Sequence, residues 1–292
     1  MRLTRIAAVA LIGALAMTSA ACGSSTTASP ASTPTAKTFE AGSTMDRLNK
    51  AQKITIGTKF DQPLFGLKGL DGKPAGFDVE IGKIIAAELG IPADKIEWIE
   101  SPSKVREDYI EQSKVDVVVA TYTINDTRKQ RVAFAGPYYV AGQDILVRSD
   151  DTSITGPDSF KDGTKKVCSV TGSTPAANIE KYLKDKTSQE VLFDVYSKCV
   201  DALKAKTVDA VTTDNVILLG YAAQEPTKVK VLGKPFTQEP YGIGVKKDDA
   251  KFREFINATL EKIYADGRYA KAWKDTVGTV AATPTGPAVN RY

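Results

Sequence analysis

Apolar and polar residues alternate from Lys53 to Thr58, the period of a strand with one face turned inward. From Gly76 to Leu89 the period lengthens, and Phe77, Ile81, Ile84, Ile85 and Leu89 fall on one face of a helix. A short strand is predicted at Ile96–Ile99, then a helix over Lys104–Gln112 with Val105, Tyr109 and Ile110 inward. Val115–Ala120 is continuously apolar, as a strand buried on both faces requires. The rhythm then restarts. Asp144–Arg148, Lys166–Val170 and Ala210–Thr213 read as strands, and Pro175–Leu183 and Cys199–Lys206 as helices. Gly242–Val245 is a further strand, followed by helices over Phe252–Tyr264 and Tyr269–Val277. Alternation at this spacing predicts an α/β fold with parallel strands, in two lobes joined by two crossing strands. The expected division is 51–140 with 243–279 for the first lobe and 141–242 for the second.

The N-terminus reads differently. Arg2 and Arg5 precede an apolar run from Ile6 to Met17 and the small residues Ser19, Ala20 and Ala21, the layout of a cleavable export signal over 1–21. Cys22, followed by Gly23, Ser24 and Ser25, resembles the lipidated cysteine of bacterial lipoprotein signals; an ordinary secretory peptide is the alternative. Residues 22–50, rich in Ser, Thr, Ala and Pro, are expected to be an anchored, disordered tether, and 280–292 a flexible tail. No later stretch has the ~18 apolar residues that a transmembrane helix needs. With Cys22 in the anchor, Cys168 and Cys199 remain. Outside the cytoplasm such a pair usually forms a disulfide, the alternative being two separate buried thiols.

The formal charge of +4 falls to +2 once Arg2 and Arg5 are removed, with both signs mixed, so nothing points to nucleic acid. The chain has no histidine, which excludes Ser-His-Asp and Cys-His nucleophilic machinery and argues against a transition-metal site. Neither a cofactor nor a catalytic residue is expected.

Several ordered motifs carry a resemblance. They are Gly76-Phe77-Asp78-Val79-Glu80-Ile81, then Val115-Asp116 through Thr121, Tyr122, Thr123, Ile124 and Asn125 to Arg128, and Phe134 with Pro137-Tyr138-Tyr139. Gly172-Ser173-Thr174, Val208-Asp209-Ala210 up to Asp214, and Tyr241-Gly242-Ile243-Gly244-Val245 follow. From Lys53 to Gly278 the chain resembles the extracellular solute-binding proteins of polar amino acid ABC transporters, family 3. The resemblance implies the type II periplasmic-binding-protein fold, and no enzymatic activity. It places Arg128 as a two-donor fork for an α-carboxylate, with Thr121 and Thr123 donating from a strand end. Ser173 and Thr174 are placed at a helix start on the opposite lobe, and Asp214 as the acceptor of the α-ammonium.

Two cations speak to the side chain of the ligand. Lys59 stands where the family places a side-chain-reading residue, and Arg106 has the spacing to Val115-Asp116 seen in binders of aspartate and glutamate. Together they call for a second carboxylate. The alternative is that they pair with Asp61 or Asp108 at the surface. Phe60 is expected as an apolar wall and Tyr196 as a hydroxyl facing the ligand. The stretch from Lys59 to Pro63, with Cys168 and Cys199, looks most like the glutamate-binding lipoproteins of Gram-positive uptake systems.

The expected protein is thus a monomer, tied to the membrane only by a lipid, that closes its lobes on L-glutamate or L-aspartate and delivers it to a membrane permease. Binding of glutamine or asparagine, a sensory module and a dehydratase-like enzyme of the same fold are the rival readings.

Overall fold

The two runs of strand–helix alternation build two five-stranded sheets. The computed structural model describes residues 37–292. The first half contains α1 (Thr44–Ala51), β1 (Ile54–Thr58), β2 (Asp61–Gln62), β3 (Gly66–Lys68), β4 (Pro74–Ala75), α2 (Phe77–Glu88), β5 (Ile96–Glu100), α3 (Arg106–Glu111), β6 (Val117–Val118), α4 (Asp126–Lys129) and β7 (Val132–Ala141). The chain continues through β8 (Gln143–Arg148), β9 (Val167–Val170), α5 (Thr174–Ile179), α6 (Lys186–Gln189), β10 (Glu190–Phe193), α7 (Tyr196–Lys204) and β11 (Ala210–Asp214). It ends with α8 (Asn215–Gln224), β12 (Val229–Val231), β13 (Glu239–Lys246), α9 (Ala250–Asp266) and α10 (Arg268–Thr276).

The first sheet has the order β5-β1-β6-β13-β7 and the second β10-β9-β11-β8-β12; β2, β3 and β4 form a small separate sheet. In each five-stranded sheet three neighbouring strands are parallel, as predicted. The other two strands join antiparallel. The mixture follows from the connections: β7 and β13 pair with each other from Lys246↔Val132 to Glu239↔Ala141, and β8 begins two residues after β7 ends. These paired strands are the two crossings between lobes.

The predicted face of α2 is inward, with Phe77, Ile81, Ile85 and Leu89 in the first-lobe core beside Ile54, Ile56 and Val117. Trp273 and Tyr269 of α10 set their rings against Phe77, with centroids 5.0 and 5.5 Å away, so the C-terminal helices do return to the first lobe. In the second lobe Leu146, Val170, Leu203, Val211 and Leu218 surround a disulfide between Cys168 of β9 and Cys199 of α7.

Four local expectations need correction. The Val115–Ala120 run is strand only over Val117–Val118, because the backbone turns into the left-handed region at Thr121 (φ 43°). The tether was expected to extend to residue 50, but Thr44–Ala51 is a helix, capped by Ser43 and anchored in the core by Met45 and Leu48. The C-terminal tail is held against the first lobe. Asn290 N–H donates to the Gly136 carbonyl at 2.8 Å, Phe134 N–H to Tyr292 Oη at 2.8 Å, and Arg291 pairs with Glu254 and Glu261. The helix expected from Cys199 starts earlier, at Tyr196. The signal peptide and Cys22 lie outside the described residues.

Candidate ligand-binding site

Strand ends from both lobes meet at the cleft. On the first lobe, β1 ends just before Lys59, and β6 leads into Thr121, whose left-handed backbone is held by Asp78. Thr121 N–H donates to Asp78 Oδ2 at 2.8 Å, and Tyr138 donates its hydroxyl to Oδ1 at 2.6 Å. Burial pushes the Asp78 carboxyl up to about 7, against the pull of these donors and of Lys59 and Arg106. Asn125 caps α4 by accepting from Arg128 N–H at 2.9 Å, which sets Arg128 at the cleft edge. On the second lobe, β11 ends at Asp214, α5 starts at Thr174 and α7 at Tyr196.

Arg106, Thr121, Thr123, Ser173, Thr174, Tyr196 and Asp214 line one space of about 10 Å³ between the lobes, together with Ser103, Thr213 and Ile217. That is room for about one water molecule, so a solute the size of an amino acid needs the walls to move apart; Lys59, Phe60 and Arg128 are not among the lining residues. A larger groove, lined by Leu67, Lys73 and Trp98, includes none of the candidate ligand-binding residues.

The cations divide by what they lack. Arg128 Nη1 donates to the Thr123 carbonyl at 2.7 Å and Nη2 to the Gly172 carbonyl at 3.0 Å, while Nε lies 3.3 Å from Glu107. A guanidinium has five N–H groups, so each terminal nitrogen keeps one hydrogen for a bidentate acceptor. Arg106 donates from Nε to the Ser103 carbonyl at 3.4 Å and from Nη1 to the Ala120 carbonyl at 3.0 Å. Its Nη2 has no protein acceptor among the described residues. Lys59 is buried and donates one of its three hydrogens to Ser103 Oγ at 2.8 Å.

Among the described residues neither Lys59 nor Arg106 has a carboxylate oxygen within 4.0 Å. Asp61 and Asp108 are engaged elsewhere, Asp61 with the start of α7 and Asp108 with Arg131. The surface-pairing alternative therefore does not describe these two residues. Burial pushes the Lys59 ammonium down to about 7, with Arg106 adding repulsion. The Tyr122 ring supports both guanidiniums, with its centroid 4.1 Å from Arg106 Cζ and 5.1 Å from Arg128 Cζ.

The acidic side is equally incomplete. Tyr241 donates its hydroxyl to Asp214 Oδ2 at 2.6 Å, whereas Oδ1 is buried with no partner among the described residues. Burial, reinforced by Glu239, holds the Asp214 carboxyl up at about 7. Burial and the Asp214 charge raise the Tyr196 phenol to about 12, so it remains a neutral hydroxyl.

Four predicted roles change on inspection. Thr123 and Thr174 were expected to donate hydroxyl protons to the ligand, but both donate to Glu239 Oε2, at 2.8 and 2.7 Å. Their oxygens therefore present lone pairs elsewhere. Thr121 Oγ1 is likewise occupied, donating to Gln62 Oε1 at 3.0 Å and to its neighbour's carbonyl. Ser173, not Thr174, caps α5, its hydroxyl accepting from Ala176 N–H at 3.1 Å. Phe60 is half-buried under the Lys68 ammonium, 5.0 Å from its ring, and does not line the space.

Residues the sequence reading passed over include Ser103, which joins Lys59 to Arg106, and Glu239. Asp78 was visible inside its motif, but without a role. Nothing local marks Glu239, because its donors are brought in by folding: Thr123, Thr174, Asn178 and Thr237.

Residues 54–278 match the model of the bacterial extracellular solute-binding proteins, family 3. The chain belongs to this family. Solute-binding proteins of the family bind amino acids and deliver them to ABC transporters. The chain is 43% identical over 234 residues to the glutamate-binding protein GluB of Corynebacterium efficiens, covering 77% of this chain and 79% of that one. It is 38% identical over 256 residues to the glutamine-binding protein GlnH of an ABC transporter of Bacillus subtilis, covering 87% and 90%. Among solved structures, an ancestral arginine-binding protein bound to glutamine superposes with a TM-score of 0.71 at 35% identity, covering 78% of this chain and 98% of that one. The type II amino-acid-binding fold is thus shared with relatives that are named for binding, not for catalysis.

Proposed function

We propose that the protein captures an acidic amino acid, L-glutamate ahead of L-aspartate, outside the cytoplasm and passes it to an ABC importer. The carrying observation is the pair of buried cations, Lys59 and Arg106, that have no carboxylate oxygen within 4.0 Å among the described residues. A buried charge left unpaired is costly, and a ligand carboxylate relieves two of them at once. At an effective dielectric of ~20, one such pair at ~4 Å is worth about 4 kcal/mol before desolvation.

The rest of the solute then has a defined place. Its α-carboxylate takes the two free hydrogens of Arg128, and its α-ammonium takes Asp214 Oδ1 with the lone pairs of Thr123 and Thr174. Ser173 and the Tyr196 hydroxyl complete the far wall, and the Thr121 backbone shapes the near one. Closure follows because these groups come from both lobes, 51–140 with 243–279 on one side and 141–242 on the other. In this reading the working molecule is a monomer held at the membrane by a lipid on Cys22.

The test is calorimetric titration of the mature protein, unfolded and refolded first to strip any bound solute, against glutamate, aspartate, glutamine and asparagine. Tight binding of glutamate with at least tenfold weaker binding of glutamine supports the reading (about 1.4 kcal/mol). A preference for glutamine, which the Bacillus subtilis relative makes the leading rival, overturns the acidic assignment while keeping transport.

A further inference from the structure

The lobes also hold each other through a contact that a bound solute does not make. Asp61 belongs to the first lobe, on β2, two residues beyond Lys59. Its Oδ2 accepts from the backbone N–H of Tyr196 at 2.7 Å and of Ser197 at 3.4 Å, the first two residues of α7 in the second lobe. That helix has no cap of its own: Val195 occupies the N-cap position and makes no side-chain capping bond. Tyr221 of α8 donates its hydroxyl to the Asp61 carbonyl at 2.6 Å, and lies 3.3 Å from Oδ2. Beside it Pro63 is seated against Gly220 of α8, where an added Cβ would stand 2.6 Å from the Pro63 carbonyl oxygen.

We infer that Asp61 is an interlobe clasp, a first-lobe carboxylate that caps a second-lobe helix only while the lobes are together. A negative charge at a helix N-terminus, accepting unsatisfied N–H groups, is stabilising. When the lobes part, that stabilisation is exchanged for solvation by water. The clasp therefore enters the open–closed equilibrium itself, and every solute that binds the closed form gains the same factor from it. Association with the open form is untouched, so the effect falls on dissociation. Because Tyr196 opens the capped helix and lines the pocket, Asp61 is also a positioning residue for that wall. Lys59 and Arg106 choose the solute; Asp61 sets how long any solute stays.

The inference rests on the amino-acid-binding reading, and the test separates the two. Asp61→Ala, Asp61→Asn and Gly220→Ala would be made in the full chain. Dissociation of labelled glutamate would be followed after a chase, and Kd values for glutamate and glutamine measured by calorimetry. Asp61→Ala is expected to raise the dissociation rate about tenfold with unchanged association, and to weaken both amino acids by the same factor. Asn caps a helix about as well as Asp, so Asp61→Asn should recover most of the loss. Gly220→Ala raises helix propensity, which protects folding, yet wedges Pro63 away and should also speed release.

Hydrogen exchange, run with saturating glutamate so that the lobes are together, supplies the independent arm. The amides of Tyr196 and Ser197 should exchange several-fold faster in Asp61→Ala. Unchanged exchange at those amides, an unchanged dissociation rate, or a glutamate-to-glutamine ratio that shifts with Asp61 overturns the clasp. Faster exchange in a wild-type background that binds no amino acid sinks the binding reading and leaves the clasp standing.

Discussion

Lys59 and Arg106 meet at one residue, Ser103: Lys59 Nζ donates to its hydroxyl at 2.8 Å and Arg106 Nε to its carbonyl at 3.4 Å. A serine thus holds two like charges on one wall of a buried cleft. The two charges repel each other, and on the proposed reading the carboxylate of an incoming solute relieves that repulsion.

Removing either charge should therefore discriminate between solutes. Lys59→Met and Arg106→Gln are each expected to weaken glutamate by about 30-fold or more, since breaking a buried charge pair costs roughly 2–5 kcal/mol. Glutamine should change less than about tenfold, because its amide never formed a full ion pair there. Equal losses for both solutes in calorimetry would place these cations outside the side-chain pocket.

Affinity for glutamate should peak near neutrality. Lys59 titrates at about 7 in the solute-free protein, and a bound carboxylate raises that value. Its contribution is complete below about pH 7 and declines as pH rises toward the bound-state value. Asp214 has the opposite sign. It too sits at about 7, a bound ammonium lowers it, and its contribution is complete above about 7 and is lost as pH falls. Titrations from about pH 5 to 9 should give a bell, and Lys59→Met should remove only its alkaline limb. A flat profile would contradict both assignments.

Glu239 gathers donors from both lobes and the crossing strand: Thr123 Oγ1 and Thr174 Oγ1 on Oε2, Asn178 Nδ2 and Thr237 Oγ1 on Oε1. Glu239→Ala leaves these donors without an acceptor, each worth roughly 1–3 kcal/mol when buried, partly recovered by water. A net loss of about 2–3 kcal/mol should lower the solute-free melting temperature by roughly 4–12 °C. Scanning calorimetry decides it; a shift under about 2 °C would mean that water replaces the carboxylate fully.

Reducing the Cys168–Cys199 bridge, or replacing both cysteines by alanine, opens a loop with a sequence separation of 31. The chain-entropy relation gives a loss of about 3.5–4 kcal/mol. Thermal unfolding with and without reductant should differ by roughly 7–16 °C. No difference would show that the denatured chain is compact enough to make the link redundant.

The division between what was legible and what was not has a physical basis. The α2 face, the paired lobes and the C-terminal return rest on periodicity, which the chain carries locally, so they were readable. Lys59, Arg106, Arg128 and Asp214 could be named as candidates because each sits in a short local motif, Lys59 and Asp214 at strand ends and Arg106 and Arg128 on the short helices α3 and α4. The α8 helix was not, since Val216, Ile217, Leu218 and Tyr221 are buried around much of its circumference and leave no stripe. Nor were the engagements of Glu239 and Asp61, whose partners are as far as 116 and 160 residues away in sequence. A hydroxyl in a motif announces itself, but the direction in which it sends its proton depends on an acceptor that only the fold supplies.

The second sheet is built wholly from one uninterrupted stretch, Gln143 to Val231, whereas the first draws on residues from both sides of it. The second lobe is therefore an insert, and the two walls of the cleft are written in separable blocks of gene. Lys59 and Arg106, the proposed charge-reading pair, lie before the insert, and Asp214 and the helix held by Asp61 lie within it. Recombining that block with one from a relative would exchange one wall of the cleft in a single crossover event while leaving Lys59, Arg106 and the proposed reading of acidic side chains in place.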